Sequence, residues 1–316
     1  MEVSEAFINK ITHLRRGGTI AGKAPHKPAL LITVFQMIAK GLIQENRIYI
    51  TPELVGLFKA NCKLLAGISY EAEFTQPFCY LQNERIKDKP IWLLTTRENV
   101  DSFSLVKSFE RFKEEVMFAS FNETHFEFIK DKINAIYLVE ILLETYFLDR
   151  KADFNGNDYE SNDYWSLFES DLLEESEESY SKSVEKQEKR YIRSEAFKHN
   201  IPRIYEGKCS FTQLKLTSQK SMFVESCHIV PISRNGKDII GNGIALSPSI
   251  HRAFDNGFLG IDEKYQVLVS QNFEESAPNG YGIRKLEGTI ILLPRQKIHY
   301  PKMKNIEWHY ENVFLK

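Results

Sequence analysis

Residues 224–257 have the sequence VESCHIVPISRNGKDIIGNGIALSPSIHRAFDNG, and this stretch decides the fold of the C-terminal part of the chain. Residues 222–230 form a run of β-type character that ends at a proline. A loop rich in glycine and asparagine follows, and residues 244–246 form a second short apolar run. Pro248 is suited to the first turn of a helix. The stretch therefore predicts two short strands followed by a helix.

The polar side chains on these elements are spaced for phosphate chemistry. His251 and Asp255 lie four residues apart on one face of the predicted helix, which suits half of a divalent-ion site. Side chains alternate across a strand, so His228 points away from the face that carries Cys227 and Glu225. A neutral imidazole there could deprotonate a water near the ion, which would stabilise charge on a phosphate. Each of these residues alone would more often be structural, so the hypothesis depends on their combination.

The arrangement resembles the ββα-metal fold of HNH endonucleases over about residues 186–270. By this resemblance His228 is the general base that activates water against a phosphodiester, and Asn242 braces the loop and orients that histidine. His251 is implied to be a metal ligand. The segment Phe-Asp-Asn-Gly at 254–257 resembles the Phe-Asp-x-Gly of one HNH subgroup, which implies that Asp255 is a second ligand.

The chain departs from the HNH pattern at the residue before the general base. Many HNH domains have a metal-binding aspartate there, whereas this chain has Cys227, whose thiolate prefers softer ions than Mg²⁺. Either Glu225 substitutes on the same strand face or the site works with fewer protein ligands. The expected cofactor is one divalent ion: Mg²⁺, Mn²⁺, Ni²⁺ or Zn²⁺. Many HNH relatives also carry two C-x-x-C pairs that hold a structural zinc. Here Thr212 stands where the partner of Cys209 would be, so no structural zinc is expected.

Charge is distributed unevenly along the chain. The net charge is −2, but residues 182–316 carry 21 basic against 14 acidic side chains, and residues 149–181 carry 2 against 11. Local charge determines attraction to phosphate. We therefore expect an acidic linker at 149–181, helical near residues 165–173, and a basic helix at 182–206. The linker is either a solvated acidic segment or a phosphate mimic that covers a basic groove.

Residues 1–148 are expected to form a mixed α/β domain ahead of the linker, and residues 182–316 the nuclease domain, so the predicted class is α+β. The nearly all-apolar run after Pro28 predicts a buried helix, and a further helix is expected at 52–66. Residues 47–50, 77–81 and 91–94 have the composition of short strands.

The N-terminal domain is similar to the sulfur-binding domain of restriction endonucleases that cut phosphorothioated DNA, over about residues 5–150. The motifs are APHKPALLI at 24–32, QPFCYL at 76–81 and Trp92. An apolar pocket can favour sulfur, which is less strongly hydrated than oxygen. The resemblance implies that six residues contact DNA: His26, Lys27, Gln76, Pro77, Phe78 and Tyr80. For His26 and Lys27, an ordinary helix-entry turn with surface charge is equally plausible.

Two departures affect this second resemblance. Gln76 stands where the family has tyrosine, and Tyr80 is bulkier than its place suggests. The domain is therefore expected to recognise phosphorothioate, another DNA modification or unmodified DNA. Pro77, Phe78 and Trp92 are equally compatible with a place in the core.

These patterns together predict a modification-dependent, restriction-type DNA endonuclease with one divalent ion and a histidine base. The alternatives are an HNH defence effector or toxin that needs no modification, and a DNA-binding protein with an impaired nuclease site. The partner is double-stranded DNA, and a homodimer would be needed to cut both strands. No leader or membrane segment is expected, and the four cysteines form no C-x-x-C pair, which favours the cytoplasm.

Overall fold

The structure is a computed structural model that describes residues 2–19, 22–66, 72–97, 100–155, 165, 168–173, 184–218, 222–277 and 282–316. The chain divides into two compact units. Met1–Tyr164 and Glu178–Ile192 form the first unit, and Trp165–Glu177 and Arg193–Lys316 form the second. Helices and short antiparallel strands are mixed in both units, which confirms the predicted α+β class.

The first unit is mainly helical, with paired short strands between the helices. Its helices are α1 (Glu2–Thr12), α2 (His26–Ala39), α3 (Pro52–Ala66), α4 (Thr75–Tyr80), α5 (Ser102–Leu105), α6 (Phe109–Glu115), α7 (Glu123–Ile129), α8 (Lys132–Tyr146) and α9 (Lys151–Asn155). Its antiparallel pairs are β1 (Gly18–Thr19) with β2 (Gly22–Lys23), β3 (Arg85–Ile86) with β4 (Lys89–Pro90), and β5 (Trp92–Thr96) with β6 (Val116–Phe121).

Helix α2 lies at the centre of the first unit. It packs against α3 and α8, and almost every residue from Lys27 to Ile38 is buried, as its apolar sequence predicts. An aromatic cluster fills the space beside it, in which Trp92 donates a hydrogen bond from Nε1 to the carbonyl of Phe78 at 2.8 Å. This core also receives Phe7, Phe35 and Phe121.

Two predicted strands of the first unit are wrong. Residues 77–81 lie largely in helix α4, whose N-terminal backbone amide at Phe74 donates to the buried Glu188 carboxylate at 2.8 Å. A proline in the first helical turn lacks only an N–H that has no partner within the helix, so Pro77 is compatible with this start. Residues 47–50 form no strand, and only Ile48 makes an isolated bridge, to Ala119.

The second unit contains a hairpin, a helix and a second hairpin. Its elements are α10 (Glu169–Leu173), the C-terminal half of α11 (Val184–Ile204), β7 (Glu225–His228), β8 (Gly243–Leu246), α12 (Pro248–Asp255), β9 (Leu259–Ile261), β10 (Val267–Val269) and α13 (Met303–Asn312). Strand β7 pairs antiparallel with β8, and β9 with β10. The core includes Phe197 and Ile201 of α11, Ile244 of β8 and Phe254 of α12.

Part of the predicted acidic linker is packed structure. Leu172 of α10 is buried in the core of the second unit. Glu169 contacts Arg203 and lies 2.9 Å from Nε2 of His299. The described part of the linker beyond residue 164 therefore belongs to the second unit. Residues 156–164, 166–167 and 174–183 lie outside the described residues. They include most of the acidic side chains that the phosphate-mimic hypothesis requires.

Candidate active site in the hairpin and helix of the second unit

The β7–β8 hairpin and helix α12 bring together the polar residues singled out from the sequence. In the antiparallel register His228 is opposite Gly243, and Cys227 is opposite Ile244. Neighbouring residues of a strand point to opposite faces, so the side chains of His228 and Cys227 diverge, as predicted.

Asn242 ties the two ends of the loop between the strands. Its side chain is buried; Oδ1 accepts from the amide of Val230 at 2.9 Å, and Nδ2 donates to the carbonyls of Val230 and Lys237 at 3.0 and 3.1 Å. These contacts satisfy both ends of the amide group, so the loop is held in one conformation. Asn242 acts on the backbone around His228 through this loop.

His228 is held between an aromatic ring and a carboxylate. Its imidazole stacks on Phe197 of α11 with ring centroids 4.0 Å apart and an interplanar angle of 10°. Nε2 lies 2.9 Å from Oδ1 of Asp238. An ionised carboxylate only accepts hydrogen bonds, so Nε2 carries the proton and Nδ1 is the nitrogen with a lone pair.

Asp238 was missed in the sequence because an acidic residue in a glycine-rich loop resembles ordinary surface charge. The side chains of His228 and Asp238 are only 23% and 13% exposed, so this contact is partly shielded from solvent. Gly243 explains how the ring is positioned. A Cβ atom there would lie 2.3 Å from Cδ1 of Ile201 and 2.8 Å from the ring of Phe197, so any larger residue would force these two side chains of α11 to shift.

A second polar cluster lies on the other face of β7. One donor atom from each of Cys227, His251 and Asp255 falls within 4.8 Å of the others. Nε2 of His251 is 3.4 Å from Oδ2 of Asp255, and Sγ of Cys227 is 3.8 Å from Oδ1 of Asp255. Thiol, imidazole and carboxylate are all donors to divalent transition ions, so this set fits a metal.

Glu225, which was predicted as a possible metal ligand, contacts His251 instead of the group of three donors. Its Oε2 lies 2.9 Å from Nδ1 of His251, and its side chain is 55% exposed. The carboxylate accepts a hydrogen bond from Nδ1–H and directs Nε2 towards Asp255. A carboxylate on the far nitrogen is the usual partner of a metal-binding histidine.

The Cys227 thiol is fully buried. Burial, and then the negative charges of Asp255 and Glu225, raise the pKa of this thiol well above its ordinary value. Without a cation beside it, Cys227 is therefore protonated at neutral pH.

The N-terminal residues predicted to contact DNA are mostly used inside the first unit. Nζ of Lys27 lies 2.6 Å from Oε1 of the fully buried Glu84, whose other oxygen is 2.6 Å from Nζ of Lys10. Burial would raise the pKa of Glu84, but the two lysines outweigh it and the pKa is lowered. Because the Lys27 ammonium is paired with the buried Glu84 carboxylate, a phosphate contact by Lys27 is disfavoured.

His26 is also a poor phosphate contact. Burial, and then the charge of Lys27, lower the pKa of His26 to about 4, so it is neutral at physiological pH.

The proline–phenylalanine motif lies in the core, because Pro77 and Phe78 are buried. This placement agrees with the alternative that they are core residues and argues against their predicted contact with DNA. Gln76 is half-buried and donates to Glu73 at 2.6 Å, and Tyr80 is exposed beside Phe103.

Comparison with known proteins agrees with the geometry of the second unit. Residues 209–262 match the family model of HNH endonucleases. The second unit thus contains an HNH endonuclease domain, as predicted, and the match supports a nuclease activity. No curated protein matches the chain.

One similar solved structure is a modification-dependent TagI restriction endonuclease, with 21% sequence identity over 40% of this chain and a TM-score of 0.30. The alignment spans 41% of that protein. Within the described residues of the present chain, the helices are too short or too polar to cross a membrane.

Proposed function

We propose that the chain is a metal-dependent DNA endonuclease that hydrolyses phosphodiester bonds with His228 as general base. The observation that carries this proposal is the placement of two polar clusters on one HNH hairpin. His228, which pairs with Asp238, and Cys227, which lies beside His251 and Asp255, are neighbouring residues of β7, so the proposed base and the proposed ion site start one residue apart on the strand. Double-stranded DNA is the proposed substrate, and the excess of basic residues at 182–316 favours phosphate binding.

Several residues around the hairpin contribute to proton transfer by His228. Asp238 fixes the tautomer and orientation of His228, and Phe197 supports the face of its ring. Nδ1 then takes a proton from water as the water oxygen attacks phosphorus, the ester P–O bond breaks, and the leaving oxygen takes up a proton from solvent. Asn242 keeps the loop that carries Asp238 in one conformation.

Cys227, His251 and Asp255 would hold the divalent ion. When bound, such an ion stabilises the negative charge that develops on the phosphate. Glu225 keeps the His251 ring oriented for it.

Plasmid nicking by the purified full chain tests the proposal. We expect nicking that depends on an added divalent ion, and a rate about 10²- to 10⁴-fold lower for His228→Ala, since general bases contribute that much. The matched control is His199→Ala, which removes an exposed histidine of the same unit. If His228→Ala nicks as fast as the control, His228 is not the base.

We further propose that cleavage depends on DNA modification, which rests on the resemblance of residues 5–150 to sulfur-binding domains. The test is digestion of plasmids that carry phosphorothioate, methylated or hydroxymethylated sites beside an unmodified plasmid. Preference for one modified plasmid supports the proposal. Equal cutting of all four favours the alternative, an HNH defence nuclease without modification dependence. The burial of Pro77 and Phe78 is the observation that favours this alternative.

A further inference from the structure

The Cys227 sulfur lies 3.8 Å from the carboxylate of Asp255, which in turn lies beside His251. Cys227 is fully buried on β7, while the side chains of Asp255 and Glu225 are about half exposed. The buried end of the cluster thus offers a sulfur donor, and the end that faces solvent offers carboxylate oxygens.

The distances in this cluster match those between ligands of one small ion. Zinc bonds of about 2.0–2.3 Å at the tetrahedral angle separate a nitrogen from an oxygen ligand by about 3.4 Å, and a sulfur from an oxygen ligand by about 3.6 Å. The corresponding separations are 3.4 Å for His251 Nε2 to Asp255 Oδ2 and 3.8 Å for Cys227 Sγ to Asp255 Oδ1. The His251 nitrogen and the Cys227 sulfur thus each lie near a ligand-to-ligand distance from one of the two Asp255 oxygens, and one donor atom from each of the three residues falls within 4.8 Å of the others.

Glu225 does not compete for this position. Its carboxylate is engaged with Nδ1 of His251 at 2.9 Å, which turns the other ring nitrogen towards Asp255. Glu225 is thus a positioning residue, and three protein donors remain. Three donors leave the fourth position of a tetrahedral ion for water or substrate, as in catalytic zinc sites.

We propose that Cys227 binds the ion as a thiolate and thereby makes this site select a thiophilic divalent ion of the Zn²⁺, Co²⁺ and Ni²⁺ class over Mg²⁺. Coordination replaces the S–H bond by a sulfur–metal bond, and the proton passes to solvent. Thiolate favours borderline and soft ions, whereas Mg²⁺ takes oxygen ligands in octahedral geometry. The inference rests on the metal requirement of the proposed function and names the class of ion.

Cobalt titration of the metal-free full chain tests the inference by spectroscopy. Bound Co²⁺ should give a sulfur-to-cobalt charge-transfer band in the near ultraviolet and the strong visible bands of a four-coordinate ion. Zn²⁺ should bleach these bands, and a large excess of Mg²⁺ should leave them unchanged.

Two variants assign the band to one cysteine. Cys227→Ser should abolish the charge-transfer band, and Cys209→Ser, which alters a buried cysteine of the same unit, should retain it. Circular dichroism checks that both variants fold. If Cys227→Ser does not fold, retention of the band in Cys209→Ser and in a Cys62→Ser/Cys79→Ser variant assigns it to Cys227 by elimination.

Nicking assays on the same samples separate this inference from the proposed function. Co²⁺ binding without a charge-transfer band, or a band that survives Cys227→Ser, overturns the thiolate ligand even if the chain cuts DNA. A zinc-displaceable band that Cys227→Ser removes supports the inference even if no DNA is cut, and in that case the proposed function fails alone.

Discussion

Two regions of the second unit hold a histidine against a phenylalanine in nearly the same way. His309 stacks on Phe254 with centroids 3.7 Å apart at 9°, and His228 stacks on Phe197 at 4.0 Å and 10°. The partners of Nε2 differ. For His309 the partner is the backbone carbonyl of Phe254 at 3.1 Å, and for His228 it is the Asp238 carboxylate at 2.9 Å.

Exposure separates the two histidines further. His309 is 2% exposed, and its burial lowers its pKa to about 4, against a smaller opposite effect of the carbonyl contact. It is a neutral packing residue. The side chain of His228 is 23% exposed and is paired with a charge. Stacking therefore fixes the ring in both places, while the Nε2 partner and solvent access distinguish the site that can exchange a proton.

The largest difference should appear when Asp238 is removed. Asp238→Ala leaves the His228 ring stacked but without its tautomer partner, so we expect the single-turnover cleavage rate to fall about 10- to 100-fold. DNA affinity, measured by fluorescence anisotropy, should stay unchanged, because Asp238 acts through His228.

Conservative variants at position 238 separate positioning from structure. Asp238→Glu should recover part of the cleavage rate, since it keeps a carboxylate acceptor. Asp238→Asn should recover less, because a neutral acceptor stabilises an imidazolium less strongly. A loss of DNA binding at unchanged cleavage rate would show instead that Asp238 contacts the substrate.

A substitution at Gly243 should disturb the packing of α11 that supports the His228 ring. In Gly243→Ala the new Cβ would lie 2.3 Å from Ile201 and 2.8 Å from Phe197, so we expect a loss of about 1–3 kcal/mol in unfolding free energy. Cleavage by the folded fraction should also fall, since Phe197 supports His228. Gly17→Ala is the control, because no atom lies within 4 Å of a Cβ placed there. Equal stability of both variants in urea denaturation would contradict the close approach.

The sequence predicted the hairpin and the helix because these depend on local periodicity, and the resemblance to HNH endonucleases singled out His228, Asn242 and His251. It could not predict Asp238 as the partner of His228. That contact crosses a loop whose shape depends on the hydrogen bonds of Asn242 and on Gly236, where a Cβ would lie 1.8 Å from the Val230 carbonyl. An irregular loop has no period from which its side-chain directions follow.

The first unit shows where short motifs mislead. Lys27 was expected at a surface, but its partner Glu84 lies 57 residues away in the chain. Residues 77–81 have the composition of a strand, yet Glu188 meets the start of helix α4 from 114 residues downstream. Both outcomes depend on contacts distant in sequence, and such tertiary contacts override local preference.

A pH titration should affect the His309 region in a predictable direction. The pKa of His309 is about 4 in the folded chain and ordinarily 6.5, so the unfolded state binds the proton more tightly. Its stabilising contribution is complete above about pH 6.5 and is lost as pH falls towards 4. Between pH 7 and 5 we expect a loss of about 2 kcal/mol in unfolding free energy.

The variant His309→Gln isolates this contribution, because glutamine can still donate to the Phe254 carbonyl but does not titrate. Urea denaturation of both proteins at pH 7 and 5 gives the difference, in which other groups such as His26 cancel. If the variant loses as much stability on acidification as the wild type does, His309 is not protonated on unfolding in this range.

The smallest effect should come from the two phenylalanines. Phe197→Leu and Phe254→Leu each remove one ring–imidazole stack, which is worth about 0.5–1.5 kcal/mol beyond buried area. Both should lower the urea midpoint by a similar amount, because both rings are almost fully buried. Only Phe197→Leu should also lower the cleavage rate of the folded protein, by a few-fold, since its partner ring exchanges the proton. An equal reduction by Phe254→Leu would mean that both stacked histidines serve the site through packing alone.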